Sequence, residues 1–314
     1  MLLKHELMYQ LEGGNCVKWV KMIVIALFSL ICIAIVVLFE CKAWPVGSSV
    51  AGIALGFSLP AFVCSIQDLC DTTNWKQSQR KLKRGGYITE DTIIRISFAY
   101  LFRIKVGNKY MLVKNNRGTG KYQPVGGVYK MKGGESLELK NLYNVMDDNK
   151  IPIDRSSRDD YRLRIKNKYL RKFVKRFDGK ARREKLDNLG RELKEELIDT
   201  GLVAWKSVKY RFCGRHMSEV QFSEHFQSYE LLLADVVEVL PTVEQEQDLL
   251  ILMQHYSDAY CFVTGDEISS LGVNTAIGDL KETISDHTHK ILQESEGELM
   301  KVANVGRTYT VPLI

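Results

Sequence analysis

Several features that would fix a covalent framework or a repeat architecture are missing from this chain. Its seven cysteines follow neither the spacing of a disulfide scaffold nor that of a zinc site. Cys32 and Cys64 fall inside apolar runs, Cys16, Cys41 and Cys70 near their ends, and Cys213 and Cys261 in the remainder. This excludes a disulfide-held fold and indicates a reducing compartment. There are no internal repeats and no low-complexity segment. A strong charge imbalance is also lacking. The net charge of +6 suits anionic lipid or a phosphorylated ligand without selecting either, and no long nucleic acid is expected as a partner.

Charge is absent from two stretches near the start, Met22 to Phe39 and Trp44 to Gln67, separated by Glu40-Cys41-Lys42-Ala43. A run of about 20 apolar residues crosses the hydrocarbon core of a bilayer as a helix. Only helices or closed barrels satisfy the backbone there, and a short connection suits an antiparallel pair. The first run is too long for the apolar stretch of a signal peptide and is followed at once by a second. The expectation is an N-terminal segment, residues 1–70, holding a transmembrane hairpin with spans at about 22–39 and 46–66, then a polar, basic linker over 71–90. Lys4, Lys18 and Lys21 precede the first span; Lys76, Arg80, Lys81, Lys83 and Arg84 follow the second; the tip carries only Lys42. That asymmetry places both termini and the large domain in the cytoplasm. Ser48, Gly52 and Gly56 recur at four-residue spacing, a pattern that lets helix backbones approach closely, either within the hairpin or between copies. Pro60 is expected to kink the second span.

Beyond the linker, residues 91–314 read as a mixed α/β domain, a sheet flanked by helices. Thr92 to Val113 is rich in β-branched and aromatic residues and broken at Gly107-Asn108, a hairpin signal. The segment Asn115 to Gly127 is turn-rich. A charged region follows, about 129–180, within which Leu163 to Phe177 places Tyr169, Leu170, Phe173, Val174 and Phe177 on one helical face and seven Lys or Arg over much of the rest. Leu186, Leu189, Leu193 and Leu197 mark a helix over 184–199. Strands are expected at 205–212, 226–239 and 260–263, and helices near 244–254 and 275–292.

On the 184–199 segment, Glu192, Glu195 and Glu196 stand at i, i+3 and i+4, so their carboxylates share one helical face. Such a cluster suits a hard cation, Mg2+ or Mn2+, with Arg191 able to orient one carboxylate. The same string also describes an ordinary exposed amphipathic helix. The order Arg191-Glu192-Leu193-Lys194-Glu195-Glu196 resembles the core of the Nudix box, and Lys121 to Gly127 (KYQPVGG) resembles the segment leading into the Gly-Gly of that family, Gly126 and Gly127 here. The resemblance implies that Glu192, Glu195 and Glu196 are metal ligands, that Arg191 orients them, and that the metals activate water against a diphosphate. The chain departs from that pattern. Sixty-three residues separate Gly127 from Arg191, which implies an insertion over about 129–180. Arg183 stands where the box places its first glutamate, with Glu184 one position on, and the glycine expected after Glu196 is absent.

The ordered blocks KYQPVGGVYK, KIPIDRSSRDDYRLRI, LRKFVKRFDG and RELKEELI resemble the SMODS-associated Nudix domain, in which two transmembrane helices precede the domain. The resemblance implies an effector of a CBASS antiphage system in the bacterial inner membrane. Such an effector responds to a cyclic nucleotide made by a partner CD-NTase, its helices self-associating to breach the bilayer. A membrane-tethered hydrolase of a nucleoside-diphosphate-type bond, and a passive membrane scaffold, are the alternatives.

The basic helix offers Lys168, Arg171, Lys172 and Lys175 as candidate ligand-binding residues. They could meet nucleotide phosphates or lipid headgroups, or form only a solvated face over the packed stripe. Asp154, Asp159 and Asp160 temper the local field. His287 and His289 read as structural or surface residues, His216 and His225 as flanking a loop, and Glu244 and Glu246 as candidates for an additional acid.

Overall fold

The structure, a computed structural model, describes residues 2–42, 44–70, 73–115, 119–154, 157–273 and 283–313. Contacts divide the chain into two units, Met1–Lys81 and Leu82–Ile314.

The first unit contains two long helices, α1 (Leu2–Cys41) and α2 (Pro45–Cys70). Within them Val20–Cys41 and Val46–Ile66 are long and apolar enough to cross a membrane. Ser29 and Cys32 of α1 and Ser48, Ala51, Ser58 and Ser65 of α2 are buried, and the Ser29 and Ser58 hydroxyls hydrogen-bond at 2.9 Å. Leu27, Leu30, Ile31, Val50, Ile53 and Phe57 stay exposed, as lipid-facing side chains would be. The small residues do not form one stripe: Ser48 is buried, whereas Gly52 and Gly56 have open space where a Cβ would stand. α2 continues through Pro60 as a single helix. Part of the segment expected as a linker is helical, α3 (Asn74–Arg84), and the boundary between the units falls inside it.

The second unit is built on β1 (Ile93–Arg103). Side chains alternate across a strand. Ile94, Ile96, Phe98, Tyr100 and Phe102, all fully buried, point to one face, and Arg95, Ser97, Ala99, Leu101 and Arg103 to the other. The hairpin expected at Gly107-Asn108 joins β2 (Lys105–Val106) to β3 (Lys109–Lys114), with Gly107 at φ +55°. Then come β4 (Tyr122–Gln123), β5 (Gly126–Val128), α4 (Glu135–Tyr143), β6 (Met146–Asp147), β7 (Arg162–Lys166) and α5 (Asn167–Gly179). α6 (Gly190–Leu193) opens directly into a π-helical turn, Lys194–Ile198. β8 (Ser207–Met217), β9 (Gln221–Ser223), β10 (Ser228–Val239), α7 (Val243–Gln254), β11 (Tyr260–Thr264), α8 (Gly265–Ser269) and β12 (Thr308–Pro312) complete the fold.

The larger sheet runs β12-β8-β10-β1-β7-β6, with β5 also on β1 and β9 on β10. β1 and β10 pair in parallel. The smaller sheet runs β11-β3-β2, with β4 on β3. Under α5 the even-numbered face of β1 carries an aromatic core: Phe98 meets Phe177 edge to face at 4.7 Å, and Tyr161 meets Phe177 at 5.1 Å. Side chains of the smaller sheet, Tyr110, Leu112, Cys261 and Val263, cluster with Leu101 and Ala234 on the opposite face.

Three helical expectations change. The helix read over 163–177 begins at Asn167, because Leu163 and Ile165 alternate inward as part of β7. The helix read over 184–199 begins at Gly190; Leu186 and Leu189 precede it in a turn held by Tyr210, whose hydroxyl accepts from Leu189 N at 3.0 Å and donates to Leu186 O at 2.8 Å. Of the helix read over 275–292, residues 275–282 lie outside the described residues, and Asp286–Ile291 forms a short 3-10 turn. The 129–180 segment is folded into the domain: β7 extends along β1 beyond β5, on the same edge.

Candidate functional site

The odd-numbered face of β1 floors a cleft. Ser97 lies beside Leu232 and Ala99 beside Ala234 in the β1–β10 register, and these small or aliphatic side chains leave an open cavity of about 720 Å³. At either end the floor is closed by buried ion pairs. Arg95 contacts Glu230 at 3.0 Å and Asp148 at 2.8 Å, and Arg103 lies 3.8 Å from Glu238 and also pairs with Glu296.

One wall of the cleft is acidic. Glu192, Glu195, Glu196 and Arg191 line it together with Gly126 and Gly127. The alignment follows from local structure. Leu189, Leu193 and Leu197 are fully buried and fix the segment from beneath, and the π turn begins between Glu192 on α6 and the two glutamates after it. Arg191 is held from both sides: its Nε and Nη2 donate to Glu184 at 3.2 and 3.3 Å, and its Nη1 donates to Glu192 at 2.5 Å. Glu184, almost fully buried, thus occupies the place on the arginine that the sequence pattern assigns one residue earlier. Arg183 instead lies over the Phe177 ring at 3.8 Å.

The glycines are required by proximity. A Cβ on Gly127 would overlap the Glu192 carboxylate, and one on Gly126 would meet the Tyr100 carbonyl. Gly126 N donates to Glu196 at 3.2 Å. Burial, reinforced by the charge of Glu192, pushes the Glu196 carboxyl up to about 8. Burial also raises Glu192, although Arg191 opposes it. Two half-buried carboxylates that repel each other are a hard-oxygen donor set of the kind a divalent cation neutralises. Glu195 is about half exposed and 3.5 Å from Arg191. Among the described residues no three acidic, His or Cys side chains converge closely enough to hold a metal ion.

The rest of the lining is more basic. Lys130, Arg162, His287 and Lys290 belong to it, with Asp160. Asp160 pairs with Lys130 and lies 3.5 Å from Arg162. Burial, aided by the charge of Lys290, lowers His287 to about 4, leaving it neutral near pH 7. Burial lowers Lys290 as well, and the charge of Glu230 opposes the shift.

The structure therefore gathers Gly126, Gly127, Arg191, Glu192, Glu195 and Glu196 in one cleft. Lys168, Arg171, Lys172 and Lys175 do not line it; they stand on the exposed side of α5, with Lys168 held by Asp91 at 3.0 Å. Glu244 and Glu246 lie in the first turn of α7 and are absent from the cleft lining. His287, read as a structural or surface residue, belongs to the cleft. His216 Nε2 contacts the Lys290 carbonyl at 3.1 Å. His287 and Lys290 escape sequence reasoning because only the 3-10 turn brings them beneath the sheet.

The description "SMODS-associated NUDIX domain" matches residues 93–292, more than half of the chain. The chain belongs to that family. Its domain has the mixed α/β sheet expected of a Nudix-like fold, preceded by two helices apolar enough to cross a membrane. No curated protein and no solved structure matches the chain.

Proposed function

We propose that this SMODS-associated NUDIX protein is an effector of a CBASS antiphage system, residing in the bacterial inner membrane with both termini in the cytoplasm. Its cleft recognises a cyclic nucleotide made by a partner CD-NTase. Occupancy then drives copies of the hairpin to associate and breach the bilayer. The observation that carries this reading is the joining, in one chain, of a family-matched domain with a nucleotide-sized cleft to two candidate membrane helices. The lysine and arginine excess on the flanks of the hairpin supports the orientation.

Glu192 and Glu196 would hold Mg2+ or Mn2+, with Glu195 turning in from its half-exposed position to join them, and the cation would supply charge neutralisation for a bound phosphate and, in a hydrolytic reaction, an activated water. Arg191, fixed by Glu184, orients the Glu192 carboxylate. The second reading, a tethered hydrolase of a nucleoside-diphosphate-type bond, is favoured by this same Arg191–Glu184 contact, which sets a carboxylate against the Gly126-Gly127 turn as a metal-dependent site needs.

The test uses the full chain in lipid vesicles loaded with a self-quenching dye, with Mg2+ and a panel of cyclic di- and trinucleotides. Dye release with one of them, with the nucleotide recovered unchanged and a higher nucleotide concentration needed for release in Glu192→Gln, is the expected result. Ligand-independent release, or no release with any ligand, removes the effector reading. Turnover of the nucleotide that Glu192→Gln abolishes establishes the hydrolase instead.

A further inference from the structure

The outer side of α5 carries charge of one sign that the fold does not neutralise. Leu170, Phe173, Val174 and Phe177 turn inward and are buried. That leaves Lys168, Arg171, Lys172 and Lys175 exposed together at helical spacing. The acids on and beside the helix are already engaged. Glu135 and Glu138 hold Arg176, Asp178 pairs with the buried Arg215 at 2.6 Å, and Asp91 takes both Lys166 and Lys168. Among the described residues Lys172 and Lys175 pair with no carboxylate.

This face starts where the chain enters the domain. Lys168 N donates to Glu90 O at 3.0 Å, and Asn167 Nδ2 donates to Thr89 O at 2.9 Å. On its other side Glu90 pairs with Lys83 in the last turn of α3. Lys83 and Lys168 therefore flank Glu90-Asp91, and the basic charge of α3 continues into that of α5. Between them Tyr87, 70% exposed, follows the left-handed Gly86 that closes α3. An exposed tyrosine among cations suits a water–lipid boundary, where the ring and the hydroxyl meet different surroundings. Only residues 67–81 separate this entry point from the end of the second candidate span.

The shape of the face decides between anions. A soluble nucleotide is bound in a concavity, and the α5 cations line neither the cleft nor the two smaller hollows of the domain. A convex helix face fits an extended anionic surface. We infer that the outer face of α5 docks on anionic phospholipid of the bilayer that holds the hairpin. The inference rests on the membrane placement proposed above and is independent of the nucleotide reading. Each basic residue near such a surface strengthens binding about fivefold. Tethering beside the bilayer makes so weak a contact sufficient.

The experiment is lysine acetylation, read residue by residue by mass spectrometry, of the full chain in nanodiscs of phosphatidylcholine with or without phosphatidylglycerol. Lys172 and Lys175 are expected to react at least about fivefold more slowly when phosphatidylglycerol is present. Lys206 and Lys209 serve as exposed controls, the latter on β8, which the sheet order puts on the far side of β1 from β7. Their rates stay unchanged. Salt at about 1 M, which cuts the screening length to about 3 Å, removes the protection. In Arg171→Glu with Lys175→Glu, at an unchanged thermal midpoint, Lys172 reacts in both lipids at the rate seen in phosphatidylcholine. Equal rates in the two lipids for the unaltered chain overturn the inference, as does equal slowing of the control lysines. Protection by cyclic di-AMP in phosphatidylcholine alone would assign the face to a soluble phosphate and also overturn it. If the chain does not stay in the nanodisc, the membrane placement falls and the inference with it.

Discussion

At the scale of single residues, the chain concentrates its buried charge in a few fully partnered positions. Glu135, fully buried at the start of α4, accepts from Arg176 Nε and Nη2 at 2.8 and 2.9 Å, from Arg182 N at 3.0 Å and from the Tyr161 hydroxyl at 3.2 Å. It ties α4, α5 and the chain after α5 together. Removing one member of a buried pair leaves the other unpaired, at a cost of about 3–5 kcal/mol. Glu135→Ala is expected near the lower figure, because Glu138 still reaches Arg176 at 2.9 Å; chemical denaturation measures it. Burial alone would raise the Glu135 carboxyl, but the hydrogen bonds and charges of Arg176 and its neighbours outweigh it and hold the group below its ordinary value. A carboxyl lowered on folding adds stability that is fully present above its unfolded pKa, about 4.3, and is lost as pH falls through the folded value. The unaltered domain should therefore lose more stability on acidification below about pH 4.3 than Glu135→Gln does. None of this is legible in the sequence, where Glu135 is one acid among many; only the folding of the inserted segment brings Arg176 and Tyr161 to it. Arg191 and its three glutamates were legible because their spacing is local. The Glu184 contact was half legible, since a one-residue offset in sequence is absorbed by a turn.

At the scale of elements, the departures from expectation share one cause. Hydrophobic spacing signals which residues are buried more reliably than which period buries them. Leu163 and Ile165 satisfy a helical stripe and a strand equally, and pairing with Ile96 and Ile94 of β1 decides for the strand. Leu189, Leu193 and Leu197 satisfy a helix, and they are buried as expected, yet the turn between the last two is π-helical. The basic face of α5 was fully legible as a face but not as a site. Lys168, Arg171, Lys172 and Lys175 stand on the exposed side of the helix, away from the cleft lining. Replacing all four by Ala is expected to leave nucleotide affinity within about twofold while lowering adhesion to vesicles containing phosphatidylglycerol, each basic residue near such a surface being worth about 1 kcal/mol. A large loss of nucleotide affinity on calorimetry would return this helix to the binding site.

At the scale of the whole molecule, the two units divide the work the proposal assigns them. The apolar runs that define the hairpin are legible from length and charge alone. The face that the proposal assigns to a second copy is not, because helical phase decides it: Ser48 is buried while Gly52 and Gly56 are open. A bulky side chain at those glycines blocks close backbone approach between copies, and its Cβ meets nothing within 4 Å in the hairpin. Gly52→Leu with Gly56→Leu is therefore expected to abolish dye release and reduce cross-linking between copies, with ligand affinity unchanged. Dye release at the unaltered rate would show that these glycines do not mediate association.

The paired ends of the cleft floor have a consequence of their own. Arg95–Glu230 and Arg103–Glu238 sit on the same strand face as the small residues between them, eight positions apart on β1. Being buried and internally neutralised, they can neither slide nor take a new partner cheaply. The floor is thereby a gauge of fixed length cut into the sheet. A nucleotide received there, as proposed, meets a floor whose length is already set, and a longer floor would call for moving one of these arginines along the strand.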